Sequence, residues 1–317
     1  MKQFNNTNTV ISVMYHYVRE FKTSKFRDIN FLQHKNFVQQ INYFKKKFNI
    51  ICINEILNLR WDKKRYKKPF LLMTFDDGYL DHYKYVTPTL IENKIKGLFF
   101  LPSKIFYKNS ILDVNKIQFI LSEAKDKNIL FDDIKKILLK EYKININQFL
   151  KKKIIKNRFD KKNILILKRL LQHQLPKKIR NELINILFRK YVTTNTADFK
   201  KNLYLNKNHV NEMINFGMNF GSHSESHEWM EFLTDKEQKD EVLKSKKFFN
   251  KNFSSKNGNF KTFCYPYGSY NSETIQILKK NKYDMAFTTI PKPFFKKKKS
   301  NIFEFPRYDT NDFKVWS

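Results

Sequence analysis

Phe70-Leu71-Leu72-Met73-Thr74-Phe75-Asp76-Asp77-Gly78 reads as a short apolar strand that runs straight into two adjacent carboxylates and a glycine. Six further stretches have the same strand-like character: Val10–Tyr15, 50–53, 97–101, Asn219–Ser222, 262–265 and 285–288. Between them, 31–48, 83–93, 235–249 and 272–281 carry apolar residues at helical spacing. Strands alternating with helices make a parallel sheet, because each crossover returns the chain to the same end. Asp76 and Asp77, together with His16, His223 and Tyr267, fall at or just past the C-terminal ends of these strands. Barrel enzymes gather their sites there, whereas an open doubly wound sheet would cluster them at one switch point. The expected class is therefore α/β, built as a (β/α) barrel.

Local signals sharpen the outline. Thr234, with Glu237 three residues on, is a capping box and starts a helix just after the histidine motif. Pro88 interrupts the helical stretch 83–93, which should kink or split there. From 112 to 191 the pattern is helical amid many lysines, so the segment 104–207 is expected to be a helical insertion between the fourth and fifth strands.

Two carboxylates side by side, and two histidines four positions apart in His223-Ser224-Glu225-Ser226-His227, are the parts of a divalent metal site with a spare acid beside it. The histidines can converge either one helical turn apart or across a tight loop after a strand. One carboxylate of the pair completes the ligand set while the other takes a proton from water. Neighbouring acids can split these roles because successive strand residues point opposite ways. Taken singly the parts are weaker: Asp-Asp-Gly alone is a turn signal, and this histidine pair lacks the metalloprotease helix around it. Their conjunction points to metal-assisted hydrolysis.

With those motifs, and with Met14-Tyr15-His16-Tyr17-Val18, Tyr265-Pro266-Tyr267-Gly268-Ser269-Tyr270-Asn271 and Phe305-Pro306-Arg307, the chain resembles the polysaccharide deacetylases, the NodB-type domain of carbohydrate esterase family four. The resemblance implies one domain over 1–317, a distorted barrel with about as many strands as the seven stretches above. It implies removal of N-acetyl groups from amino sugars of a bacterial surface polysaccharide or its precursor. It also implies a divalent ion, most often zinc, on Asp77, His223 and His227, with Asp76 as general base. The backbone N–H of Tyr267 would donate to the developing oxyanion, a contact worth roughly 3 kcal/mol.

Two positions depart from the pattern. Cys264 stands where the third motif usually opens with an arginine, and no Leu-x-x-x-His follows Arg307. A branch of the family is similar in its early Tyr-His, its Tyr-Pro-Tyr-Gly and its late Pro-Arg. By that similarity His16 is the general acid and Arg307 holds Asp76. On their own residues, His16 reads equally as a buried histidine closing Val10–Tyr15, and Arg307 as a surface cation or a substrate anchor.

The 62 Lys and Arg against 30 Asp and Glu leave a formal charge of +32. Such a balance ordinarily prompts a nucleic-acid reading. Here lysine far outnumbers arginine and comes with abundant Asn, Ile and Phe but only 6 Gly, the bias of an AT-rich genome, so no nucleic-acid partner is expected. The charge is therefore discounted as a sign of function; it allows an anionic glycan, a lipid-linked sugar or an acidic membrane surface as partner, and the lysine run 296–299, the best such patch, reads first as a solvated loop. Cys52 and Cys264 read as buried free thiols rather than a disulfide framework. No run of about 18 apolar residues is present and 1–9 is polar, so a soluble cytoplasmic protein is expected, or one resting on the inner face of a membrane. The competing function is a catalytically inactive barrel that grips a polyanion through its lysines, with salt-dependent binding and no acetate release. A phosphoesterase would need a second metal and more carboxylates near Asp77.

Overall fold

Every residue of Phe70–Asp76 is buried, as a strand with partners on both edges and packing on both faces requires. The computed structural model describes residues 8–20, 29–58, 66–150, 162–253, 260–295 and 301–315; the lysine run 296–299 lies outside them. Its strands are β1 Val10–Tyr15, β2 Val18–Arg19, β3 Leu32–Gln33, β4 Asn49–Ile50, β5 Phe70–Asp76, β6 Leu98–Leu101, β7 Asn219–Ser222, β8 Thr262–Cys264, β9 Met285–Phe287 and β10 Tyr308–Asp309. The main sheet runs β10-β1-β5-β6-β7-β8-β9, with β4 also on β5, while β2 and β3 pair separately. Every strand pairing in it is parallel. Beyond β9, Phe305 N–H donates to the Ala286 carbonyl and Thr288 N–H to the Phe305 carbonyl, and Phe294 exchanges two backbone bonds with Val10. The segment between β9 and β10 thereby links the two ends of a curled, parallel half-barrel.

Period-two alternation sorts the side chains. Ile11, Val13 and Tyr15 of β1 and Leu71, Met73 and Phe75 of β5 pack outward in one cluster with Phe37, Ile41 and Phe44 of the helix His34–Lys47. Val10, Phe70, Leu72, Phe100, Cys264 and Phe287 meet on the other face, with Phe305. Tyr15 stacks on Phe75, and Phe75 on Phe99, with centroids 5.0 and 4.7 Å apart. Burying such rings contributes about 1.5–3 kcal/mol each. On β5 the inward set is 70, 72, 74 and 76, so the same alternation that builds the core points Asp76 into the barrel.

The elements differ from the expected ones at a few places. Of 50–53 only Ile50 is in a strand, and Ile53–Asn58 is a helix. The stretch 83–93 is split as Pro88 demands: a π-turn over His82–Val86 gives way to a helix over Thr87–Glu92 with the proline in its first turn. The capping box forms, with Thr234 N–H donating to Glu237 Oε2 at 2.9 Å, and the helix runs Asp235–Phe253. β10 has no counterpart among the expected strands, because a strand of two residues carries no periodicity.

Among the described residues, 111–150 and 162–200, with 29–30, form a second compact unit. It is helical, including Asp113–Glu123, Lys127–Tyr142 and Lys177–Tyr191. Ile120, Leu130, Ile134, Leu183 and Leu187 are buried within it, and Phe199 meets Phe119 and Phe188 edge-on at 4.7 and 5.1 Å. No helix among the described residues is long and apolar enough to cross a membrane.

Candidate active site

The strand β5 ends at Asp76, and the next two residues turn the chain with φ of +73° at Asp77 and +68° at Gly78. At Gly78 a side chain would be strained by that angle, and a Cβ would lie 2.6 Å from Ile105 Cδ1. The turn frees Asp77 from the strand's alternation, so two adjacent carboxylates face different surroundings. Both are buried at 2% exposure, which makes their partners decisive. Asp77 Oδ2 accepts from the Tyr79 hydroxyl at 2.6 Å. Its Oδ1 has no hydrogen-bond partner among the described residues.

That bare oxygen lies 3.5 Å from His223 Nε2 and 3.3 Å from His227 Nε2. His223 follows β7, its N–H donating to the Leu101 carbonyl at 2.9 Å. Ser224 and His227 then take positive φ, +64° and +62°. The two imidazoles converge across a tight loop, not along a helical turn. Nδ1 of His223 donates to the Cys264 carbonyl at 2.8 Å, which leaves Nε2 as a lone pair aimed at Asp77. Burial, then the neighbouring His227, lowers the His223 pKa to about 4, so the ring is neutral and able to ligate. Ligands about 2.0–2.1 Å from one tetrahedral ion sit roughly 3.3 Å apart. The spacing, the orphaned carboxylate oxygen and the neutral imidazole all fit a divalent ion such as zinc. The three ligand atoms lie within 4.8 Å of one another.

Asp76 also lies near the ligand set, with a ligand atom within 4.8 Å of those of His223 and Cys264, but one of its oxygens is taken by an arginine. Arg307 Nη1 donates to Asp76 Oδ1 at 2.8 Å and to Thr74 Oγ1 at 3.1 Å, while its Nε donates to the Thr288 carbonyl at 2.9 Å. Nη2 reaches Cys264 Sγ at 3.0 Å. Arg307 is 1% exposed, so it is neither a surface cation nor an anchor reaching into solvent. Burial alone would raise the Asp76 pKa, but the Arg307 charge, followed by His223, holds it below the usual carboxylate range. Burial pushes the Cys264 thiol well above its ordinary value, so it faces the guanidinium as a neutral group. Asp76 Oδ2 is 3.8 Å from Cys264 Sγ and 3.9 Å from His16 Nε2. The His16 side chain is 40% exposed, which excludes the buried reading, and its carbonyl accepts from His82 Nε2 at 2.8 Å.

Tyr267 lies in the turn Pro266–Gly268 after β8, at φ +58°. Its ring meets His227 edge-on, centroids 4.6 Å apart, and stacks on Trp229 at the same distance. Trp229 and Tyr79 were not singled out in the sequence. Tyr79 is only two positions beyond Asp77, but nothing local says that its hydroxyl turns back.

The polysaccharide deacetylase family model matches residues 122–286, just over half of the chain. The chain belongs to the polysaccharide deacetylase family. That match holds His223, His227, Cys264 and Tyr267, stops short of Asp76, Asp77 and Arg307, and begins inside the stretch 104–207 for which the motifs offered no counterpart. YxkH of Bacillus subtilis (strain 168), assigned by name to the polysaccharide deacetylases, is 33% identical over 88 residues, 28% of this chain and 30% of that protein. The alignment thus spans under a third of that relative's length. The Streptococcus pyogenes deacetylase PplD, solved with acetate, superposes with a TM-score of 0.58 at 15% identity, over 95% of this chain and 92% of that one. IcaB from Ammonifex degensii gives 0.54 at 15% identity, over 95% and 91%. These likenesses establish the fold as the NodB-like (β/α) barrel of the deacetylases.

Proposed function

We propose that the protein is a metal-dependent hydrolase that removes N-acetyl groups from amino sugars of a surface polysaccharide or its precursor. The observation that carries this reading is the bare Asp77 Oδ1, buried and facing two imidazole Nε2 atoms, with a second carboxylate one residue away that is tied to an arginine instead. A divalent ion, zinc by the donor set, would be held by Asp77, His223 and His227 and, when bound, supplies Lewis-acid polarisation of a carbonyl and of water.

The chain's own residues do the rest. Arg307 fixes one oxygen of Asp76, so the other, Oδ2, which among the described residues accepts only a long hydrogen bond from the Cys264 thiol, is oriented to take the proton of the attacking water. The low pKa keeps that carboxylate ionised and ready as a base at neutral pH. His16, half exposed beside Asp76 Oδ2, protonates the departing amine nitrogen. The Tyr267 N–H, in a turn of positive φ, would donate to the oxygen that gains charge as the carbonyl becomes tetrahedral. Acetate and a free amino sugar leave.

The test is acetate release from N-acetylated oligosaccharides, with and without a chelator and after zinc is restored. Release that stops with chelator and returns with zinc is the expected result. Absence of acetate, with salt-sensitive retention on a polyanion, favours the inactive binding barrel instead.

A further inference from the structure

The loop that carries both histidines holds conformations its sequence does not favour. Ser224 and His227 both sit at positive φ without being glycine, and such backbone persists only where its surroundings over-determine it. Much of that determination comes from a residue outside every motif. Glu241, on the helix Asp235–Phe253, is only 6% exposed. Its Oε2 accepts from the backbone N–H of Glu225 at 3.0 Å and of Ser226 at 2.8 Å, while Oε1 accepts from the Ser226 hydroxyl. The same loop is held from its carbonyl side by Ser103 N–H on Ser224 and Lys104 N–H on Glu225, at 3.2 and 2.9 Å. His227 N–H closes back on Ser224 Oγ at 3.1 Å.

Three donors between the two histidines, the N–H groups of Glu225 and Ser226 and the Ser226 hydroxyl, therefore converge on one buried carboxylate. Ser226 moves with Glu241, and His227 is the next residue. A small displacement at this point swings the His227 imidazole away from Asp77, because the loop has no regular ladder of its own to resist it.

We propose that Glu241 is a positioning residue for the histidine pair: by bridging the N–H groups of Glu225 and Ser226 it sets the loop geometry that brings both Nε2 atoms to one oxygen of Asp77. The inference rests on the reading of Asp77, His223 and His227 as ligands of one ion. It assigns Glu241 no contact with substrate or metal.

Zn2+ affinity of the metal-free protein, measured by competition with a chromophoric chelator, tests it without reference to activity. The d–d absorption of the Co2+ form supplies a spectroscopic signature of ligand geometry. Glu241→Ala should weaken Zn2+ binding by about 10- to 100-fold, the usual effect of losing an outer partner, and should alter the Co2+ bands. Glu241→Gln should stay close to the parent, since its carbonyl accepts both N–H groups and its amide donates to Ser226 Oγ. Glu241→Asp, charged but one methylene short, should resemble Ala; this pair decides the matter even if the Ala variant does not fold. Parent-like binding by Glu241→Asp together with weak binding by Glu241→Gln would make charge, not position, the cause and overturn the proposal. Parent-like affinity and bands in both Ala and Asp would overturn it too. His227→Ala in parallel separates the two readings: if it also binds Zn2+ like the parent, the ligand set itself has failed.

Discussion

Asp76 and Asp77 are neighbours in the chain, equally buried, and opposite in circumstance. The Asp77 half of the site has a tyrosine hydroxyl on one oxygen and, across from the other, two imidazoles at 3.3 and 3.5 Å. The Asp76 half is built on a full positive charge, the Arg307 guanidinium at 2.8 Å, with a neutral thiol and a half-exposed histidine around the second oxygen. A buried carboxylate must be compensated, and the kind of compensation decides what it can do. In the proposed function, the one that faces two imidazoles is completed by a bound cation. One already matched by an arginine has no such need and, in that proposed function, uses its other oxygen for proton transfer.

The sharpest break of this contrast is substitution of Asp77. Asp77→Ala, like His223→Ala or His227→Ala, should abolish stoichiometric zinc by elemental analysis and reduce acetate release to background; retained metal would collapse the distinction. Asp76→Asn is the counterpart. It should keep its zinc while turnover falls about 10^2- to 10^4-fold, the range of a lost general base. Loss of metal in this variant would mean that the two acids share one role. Arg307→Met leaves Asp76 buried and uncompensated, which costs about 3–5 kcal/mol and should appear as a marked fall in melting temperature with zinc content preserved. His16→Ala should slow an amide substrate by about a hundredfold yet spare an activated acetyl ester, whose leaving group needs no proton. Equal losses on both would give His16 a purely structural part. The mildest change is Tyr79→Phe, which takes a donor from Asp77 Oδ2. Zinc affinity should weaken about 10-fold or somewhat more, with kcat of the loaded protein little altered.

Much of the barrel could be read along the chain because its causes are local. Apolar runs and helical spacing mark β1 and β5 to β9, the capping box at Thr234 marks a helix start, and Pro88 marks a break. β10 escaped, since Tyr308 and Asp309 form a strand only through their pairing with Val13 and Met14. The site was legible to the same degree. Its carboxylate pair and histidine pair announce themselves by type and spacing. Tyr79 and Glu241 do not, because a hydroxyl or carboxylate that acts by holding another group has no characteristic spacing from it.

The residue types alone established a parallel α/β architecture, a pair of acids at the end of a strand and a pair of histidines at the end of another, because side-chain chemistry and periodicity are properties of short segments. Which acid faces the imidazoles, that the imidazoles meet across a loop, and that an arginine more than two hundred residues downstream lies against Asp76 were decided only by folding. Those facts depend on strand register and on a turn of positive φ, and both are set by contacts between segments that the linear order keeps far apart.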